Sequence, residues 1–383
     1  MAKVRNITVL GAGHGGKAMA AYLALSGAKV TLYNRTWKNI EIIKERGGIS
    51  LNAASGLSGF GEISKVTSNI AEAAAKSNRL LMVVVPAFAH ASIAKNIAPH
   101  LSKGQTIVLN PGRTFGAIEF RKILTKNGCN ADVTVAETQT FIYASRSDGP
   151  AQAFIHRIKD AVPLAAIPAD HTNQVLEILR PYYPQFIDGK TVMHTGLDNI
   201  GAIFHPTIAL HNAGWIEATG GDFQFYTQGV TPAIARVMEA VDRERINIGK
   251  ALGIQLMTAY EWLKIAYDAV GDNLYEAIRN QEGYRGISAP PTVNHRYINE
   301  DVPMSLVPMA SLGRKLGIKV RAMESIIRLA SIIRKVDFWE HGRTVESLGL
   351  SLQSLSDPLT FIEGKGLIKQ LPEKGEILDI PEG

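Results

Sequence analysis

Cysteine is almost missing from this chain: Cys129 stands alone among 383 residues. No intrachain disulfide can form, which excludes a cysteine-stapled secreted domain and fits a reducing compartment, the cytoplasm. Long apolar runs are missing as well. The longest, residues 80–89, is too short to cross a bilayer and is interrupted by Pro86, so no membrane partner is expected. The opening residues Met1-Ala2-Lys3-Val4-Arg5-Asn6 lack the apolar centre of a secretory leader and run straight into a strand, so none is expected. Charge of one sign is not concentrated. Lys and Arg number 41 against 35 Asp and Glu, and the formal excess of +6 is scattered, which suits small anionic ligands and makes no case for nucleic acid. No internal repeat, low-complexity tract or metal-ligating cluster stands out, and the last dozen residues, rich in Pro, Glu and Gly, read as a loose tail.

The first thirty-six residues carry the strongest positive signal. An apolar strand, Ile7-Thr8-Val9-Leu10, runs into Gly11-Ala12-Gly13-His14-Gly15-Gly16. A helical stretch at 17–26 follows, then a second strand at 29–33. A GxGxxG run in this strand–helix–strand setting is a dinucleotide-binding turn. Gly11 permits the tight turn, Gly13 lets a pyrophosphate approach the backbone, and Gly16 lets helix and strand pack closely. Ala12 and His14 lie between them, and the N–H groups at the helix start face the phosphates.

The second strand ends in Asn34-Arg35-Thr36. NAD sites usually place an acid there for the ribose hydroxyls, whereas NADP sites carry a nearby arginine for the 2′-phosphate. Here the acid is missing, and Arg35 and Thr36 can hold a phosphate that a carboxylate would repel. NADP(H) is therefore favoured over NAD(H). Arg35 as a solvated loop residue is the competing reading.

A chain of 383 residues has room for two or three domains. The expected fold class is α/β: an N-terminal doubly wound Rossmann domain over residues 1–189, followed by an all-helical domain over 190–383. After the first strand pair, strands are expected at 80–85, 105–109 and 133–136, with helices at 90–98 and 116–127. Their ends at Pro86, Asn110 and Glu137 should line the ligand crevice. Two more strands and a helix at 172–179 complete this half. Beyond His194 the periodicity is helical, at 199–218, 231–252, 259–270, 274–280, 309–316 and 322–336.

Hydride chemistry needs an acid–base group beside the nicotinamide, and the helical half should supply it. Ten histidines make the mere presence of one uninformative. His205 is distinguished by its setting, a polar residue in an apolar helix directly before Pro206. The proline should kink or start the helix there, so that the imidazole projects from the break. At neutral pH histidine can donate or accept a proton. A structural core histidine fits the same spacing, and His194, His211 and His295 are rivals. A second constellation, Asn294-His295-Arg296-Tyr297-Ile298-Asn299-Glu300-Asp301-Val302-Pro303, reads as a polar loop. Arg296 can fork a phosphate or carboxylate. Asp301, or Glu300 beside it, can hold a histidine ring in one tautomer; Asp301 as an ordinary helix cap is the alternative.

Taken together, the Gly11–Gly16 turn, Val84-Val85-Pro86-Ala87, Asn110-Pro111-Gly112, Glu137-Thr138, Asn199 with His205-Pro206, and His295-Arg296-Tyr297 with Glu300-Asp301 resemble the octopine/nopaline (opine) dehydrogenase family. The similarity runs over residues 7–350. It implies a Rossmann domain joined to a helical domain, and NAD(P)H-dependent reductive condensation of an amino acid with a 2-oxo acid such as pyruvate. It further implies His205 as acid–base residue, Asp301 as its partner, Arg296 at the cofactor pyrophosphate, and Glu137 and Asn199 against the amino-acid substrate. One departure is plain: a member of that family carries an acid where this chain has Asn34-Arg35, so its preference for NAD does not transfer.

Two other readings compete. A two-domain reductase of the ketopantoate, glycerol-3-phosphate or 3-hydroxy acid type would need a lysine in the helical half. Residues 197–214 contain none, and Lys250 and Lys264 sit in ordinary amphipathic settings. A non-catalytic nucleotide sensor would keep the glycines without needing His205 and Asp301. Apolar helical surfaces make a homodimer the expected assembly.

Overall fold

Strands buried on both faces need apolar residues at every position, and this explains the unbroken runs of the first half. The computed structural model describes residues 4–351. Its strands are β1 (Asn6–Leu10), β2 (Lys29–Tyr33), β3 (Gly48–Ala53), β4 (Gly59–Glu62), β5 (Lys65–Thr67) and β6 (Leu80–Val83), then β7 (Thr106–Leu109), β8 (Thr134–Thr138), β9 (Tyr143–Gly149), β10 (Gln152–Ile158), β11 (Val162–Ile167) and β12 (Phe186–Asp188). Eight of them form one sheet in the order β12-β11-β8-β7-β6-β1-β2-β5. The stretch from β5 to β8 is parallel, and β11 closes it antiparallel to β8. Thr8, at the middle of β1, is fully buried and donates its hydroxyl to Ala73 O at 2.7 Å.

β1 lies between β2 and β6, so the chain reverses its direction of travel across the sheet at that strand. Loops leaving β1 and β6 turn to opposite faces there and open a crevice at their carboxyl ends. The helices at 172–179 and 116–126 form where the periodicity placed them.

A second sheet, β4-β3-β10-β9, had no counterpart in the sequence reading apart from β10. β4 reads Gly-Phe-Gly-Glu, too glycine-rich to register as a strand, and β9 is polar and exposed at alternate positions. This sheet covers the helix His14–Leu25. Tyr22 of that helix stacks on Tyr183 at 5.6 Å, and the Tyr183 hydroxyl meets that of Tyr143 at 2.9 Å.

From Val192 onward the described elements are helical, apart from one isolated bridge between Gln224 and Ser288. The single helix expected at 199–218 is two, Gly201–His211 and Ala213–Thr219. Asn212 at the joint donates its amide to Ile208 O and Gly229 O, each at 2.8 Å. The expected helix start at Pro206 is corrected. The helix begins at Gly201 and continues through the proline, its sixth residue, which has no N–H to offer Ala202 O.

The polar loop expected near residue 300 is also corrected. Arg296–Asn299 is already helical, and Val302–Leu306 is a π-helical turn leading into Val307–Lys315. Pro303 and Pro308 look like breakers in sequence, yet the π turn accommodates them and puts the freed carbonyls to use. Val307 N–H reaches back to Val302 O, which leaves Pro303 O to accept from Arg343 N at 3.0 Å. Pro308 has no N–H to offer Met304 O, which accepts instead from Thr114 N of the first half at 3.2 Å. Arg343, fully buried, adds bonds from its guanidinium to Glu119 (2.7 Å), Gly112 O (3.0 Å), Thr114 O (3.2 Å), Ala87 O (3.3 Å) and His90 Nδ1 (3.1 Å). One arginine thus ties the ends of β6 and β7 to the helical half. Burial, with Arg343 beside it, pushes His90 down to about 3, so its ring stays neutral and accepts that bond. Among the described residues no helix is long and apolar enough to cross a membrane. The tail expected over the last dozen residues lies outside the described residues.

Candidate active site

The glycine turn sits at the carboxyl end of β1. Gly11 has φ +116°, and a Cβ there would strike Val84 O; a Cβ on Gly16 would strike Gly11 O. These two positions are closed to any side chain. Gly13 is the opposite case. It is exposed, a Cβ on it would meet nothing within 4 Å, and it precedes the helix His14–Leu25 without a side-chain cap. The first-turn N–H groups therefore face an open space of the kind a pyrophosphate fills.

Asn34 does more than leave out an acid. Its Oδ1 accepts from Ala12 N at 3.3 Å and its Nδ2 donates to Thr36 O at 2.9 Å, tying the end of β2 to the glycine turn. Arg35 and Thr36 are exposed beside it, as is Pro86 at the end of β6 and His14 at the helix start.

The helix 201–211 and the π turn bring His205 and Asp301 together. His205 Nδ1 lies 2.9 Å from Asp301 Oδ2, and its Nε2 lies 3.1 Å from the Tyr226 hydroxyl. Tyr297 stacks on the imidazole at 4.3 Å. Because a carboxylate only accepts, Nδ1 carries the ring proton and Nε2 is left to accept from Tyr226. Burial holds Tyr226 well above its ordinary pKa, so it remains a phenol and a donor.

Behind this pair lies a buried ion network. Arg113 reaches Glu300 Oε1 at 3.3 Å and Asp301 Oδ1 at 2.9 Å, and Arg296 reaches Glu300 Oε2 at 3.2 Å from the solvent side. Glu300 Oε1 also accepts from Ala87 N at 3.0 Å, next to Pro86. Burial alone would raise the Glu300 carboxyl, but Arg113, Arg296 and the Ala87 N–H outweigh it and hold the group well below the usual carboxylate range. Burial works against the Arg113 charge too, and Asp301 and Glu300 more than restore it. Arg113 takes up a left-handed backbone, φ +60°, to make these contacts. That conformation costs on the order of 1 kcal/mol and persists because two carboxylates hold the side chain.

A cavity of about 190 Å³ opens in front of His205. Arg113, Lys159 and Asn199 line it on the polar side, and Tyr226, Trp262, Tyr267 and Tyr284 form an aromatic wall. Asn199 donates to Ser305 Oγ at 2.9 Å, which fixes its amide. Glu137 does not line this cavity. It is fully buried under Gly112, accepting from Ala117 N at 2.7 Å and Thr195 Oγ1 at 2.8 Å, and burial pushes its carboxyl up to about 7. Its place at a strand end aims it toward the crevice in sequence, but the loop 110–115 folds over it.

Arg113, Tyr226, Lys159 and Arg343 carry no motif and escaped the sequence reading. Only Arg113 had a usable signal, as the residue directly after Asn110-Pro111-Gly112 at a strand end.

A glycine turn at the switch point of a doubly wound sheet, with a histidine–carboxylate pair carried to the same edge by helices, defines a two-domain nicotinamide-nucleotide dehydrogenase. Comparison with known proteins narrows the class. Residues 188–334 match the model described as NAD/NADP octopine/nopaline dehydrogenase, alpha-helical domain, and residues 6–111 match that of the NAD-dependent glycerol-3-phosphate dehydrogenase N-terminus. An opine dehydrogenase of Arthrobacter sp. (strain 1C) is 40% identical over 351 residues, covering 92% of this chain and 97% of that one. The structure of octopine dehydrogenase with NADH and L-arginine superposes with a TM-score of 0.79 at 20% identity, over 92% of this chain and 98% of that one. Yersinopine dehydrogenase with NADP+ bound gives 0.72 at 17% identity, over 94% and 98%. The chain belongs to the opine dehydrogenase family, NAD(P)-dependent oxidoreductases acting on CH–NH bonds. This membership sets aside the lysine-dependent reductase and the sensor.

Proposed function

We propose that the enzyme reduces the imine formed between an amino acid's α-amine and a 2-oxo acid such as pyruvate, with His205 as the acid–base residue and NADP(H) as the preferred cofactor. The observation that carries the reading is the 2.9 Å contact between His205 and Asp301 at the mouth of a small, half-aromatic cavity. A bound reduced nicotinamide supplies the hydride. Gly11, Ala12, Gly13, His14 and Gly16 form the cradle for its pyrophosphate, Pro86 borders it, and Arg35 and Thr36 take the 2′-phosphate, with Asn34 holding the strand end in place.

Asp301 fixes the imidazole with Nδ1–H toward the carboxylate, which leaves Nε2 for the substrate nitrogen. Protonated His205 donates to the imine nitrogen and makes its carbon a better hydride acceptor. Neutral His205 takes the proton back from the secondary amine in the reverse direction. Tyr226 holds Nε2 when no substrate is bound. Asn199 faces the amino acid, whereas Glu137 is set below the cavity and serves to anchor Thr195 and the helix 116–126. Arg296, exposed at the end of the network, is placed to meet a phosphate and couple cofactor binding to closure over the imine, which water would otherwise hydrolyse.

Oxidation of NADPH followed with pyruvate and a panel of amino acids tests the reading. Turnover with at least one pair and a lower KM for NADPH than NADH are expected; tight NADPH binding with no turnover for any pair would defeat it. A homodimer and a cytoplasmic location complete the proposal, supported by the exposed Ile332 and Leu329 on one helix and by the single cysteine.

A further inference from the structure

The charges around the cavity do not balance, and the imbalance falls on one side chain. Arg113 is matched by Glu300 and Asp301. Asp198, also on the lining, is matched by Arg245 at 3.2 Å, which in turn holds Asp242 at 2.8 Å. Lys159 has no such partner. Its ammonium donates to two neutral oxygens, Thr140 Oγ1 at 2.7 Å and Phe141 O at 2.8 Å, and among the described residues it makes no ion pair. The backbone holds it firmly in this position: Lys159 N continues the hairpin of β9 and β10 by donating to Ile142 O at 2.9 Å. An ammonium has three N–H donors, so one remains for the cavity it lines. Burial, with Arg113 and Arg157 nearby and no anion to offset them, pulls this lysine down to about 7. The surroundings of the ammonium lack an anion, and an anionic ligand is the obvious thing to supply one.

We propose that Lys159 is a substrate-binding residue whose ammonium pairs with a carboxylate of the substrate, orienting the imine carbon in front of His205. This rests on the proposed reaction, in which both the amino acid and the 2-oxo acid bring a carboxylate, and either one fits the chemistry of the site. The two oxygens that hold Lys159 are both neutral and both accept, so they aim the ammonium without cancelling its charge. Arg113 cannot take this part, because its charge is already shared between two buried carboxylates.

The test compares wild type with K159Q and K159R. Loss of a charge-assisted pair raises KM by roughly 10- to 100-fold. In K159Q a rise confined to the 2-oxo acid assigns the contact to that substrate. A rise confined to the amino acid assigns it there, and wild type should then lose a similar factor when the amino-acid amide replaces the acid, whereas K159Q should not. K159R, which keeps the charge, recovers most of the loss. A purely structural role would lower kcat or stability and leave both KM values alone, and that outcome overturns the proposal. Trp262 on the same lining provides a readout independent of turnover: its fluorescence should respond to oxalate, an unreactive dicarboxylate, in wild type and not in K159Q. Oxalate binding that depends on Lys159 in an enzyme that turns over no substrate pair would sink the reaction and keep the carboxylate site. Turnover with unchanged KM values in K159Q would do the reverse.

Discussion

The proposed nucleotide end and the proposed proton-transfer end of this molecule are built by different means. At the glycine turn, the architecture rests on backbone: Gly11 and Gly16 admit no side chain, Gly13 leaves a gap, and the contributing residues are neighbours in sequence. Around His205, the architecture rests on side chains drawn from positions 113, 226, 297, 300 and 301, joined by charge and ring contacts. A local device survives the loss of a distant partner. A buried ion network does not, because removing one charge leaves another without a counterion.

The sharpest way to break this contrast is to remove the proton donor. H205A and D301A should each lower turnover by about 100- to 10,000-fold while NADPH affinity, read by fluorescence titration, stays near wild type. Loss of cofactor binding in both would mean the two ends are not separable. R113M should come next, costing about 3–5 kcal/mol in urea unfolding because Glu300 and Asp301 lose their common cation. Unchanged stability would show that the network does not hold the halves together.

At the nucleotide end, N34D with R35I should move preference toward NADH by roughly tenfold or more, the value of one charge-assisted contact, with little change in unfolding midpoint. An unchanged NADPH/NADH ratio would refute the assignment of the strand end. The smallest effect concerns acid. Glu300 is held below its unfolded pKa, near 4.3, so its contribution is present above that value and drains away as pH falls toward the folded one. Wild type should lose up to about 1.4 kcal/mol per pH unit there from this group, and E300Q should lack that part of the slope.

Much of the nucleotide end was legible from residues alone, since its signal is glycine spacing between strands. The central parallel strands β1, β2, β6, β7 and β8 were legible for a similar reason: burial on both faces demands unbroken apolar runs. β3, β4 and β9 were not, being short, glycine-bearing or half exposed, and they become strands only because the helix 14–25 needs a cover. Pro206 and the segment ending at Pro303 misled for the opposite reason. Proline rules assume a regular helix in isolation, whereas here the freed carbonyls of Pro303 and Met304 find donors in Arg343 and Thr114. Glu137 shows the same limit, its strand-end position pointing to the crevice while the loop above it closes.

By itself the sequence determined what a single segment can encode: the glycine turn, the apolar strands, the helical second half, and the presence of His205 and Asp301. Tertiary structure alone decided which cations are neutralised and which are not. Arg113 and Lys159 are both basic residues beside the same cavity, yet one faces two carboxylates and the other faces two neutral oxygens. Electrostatic worth depends on distance and burial, and neither is a property of a residue in a string.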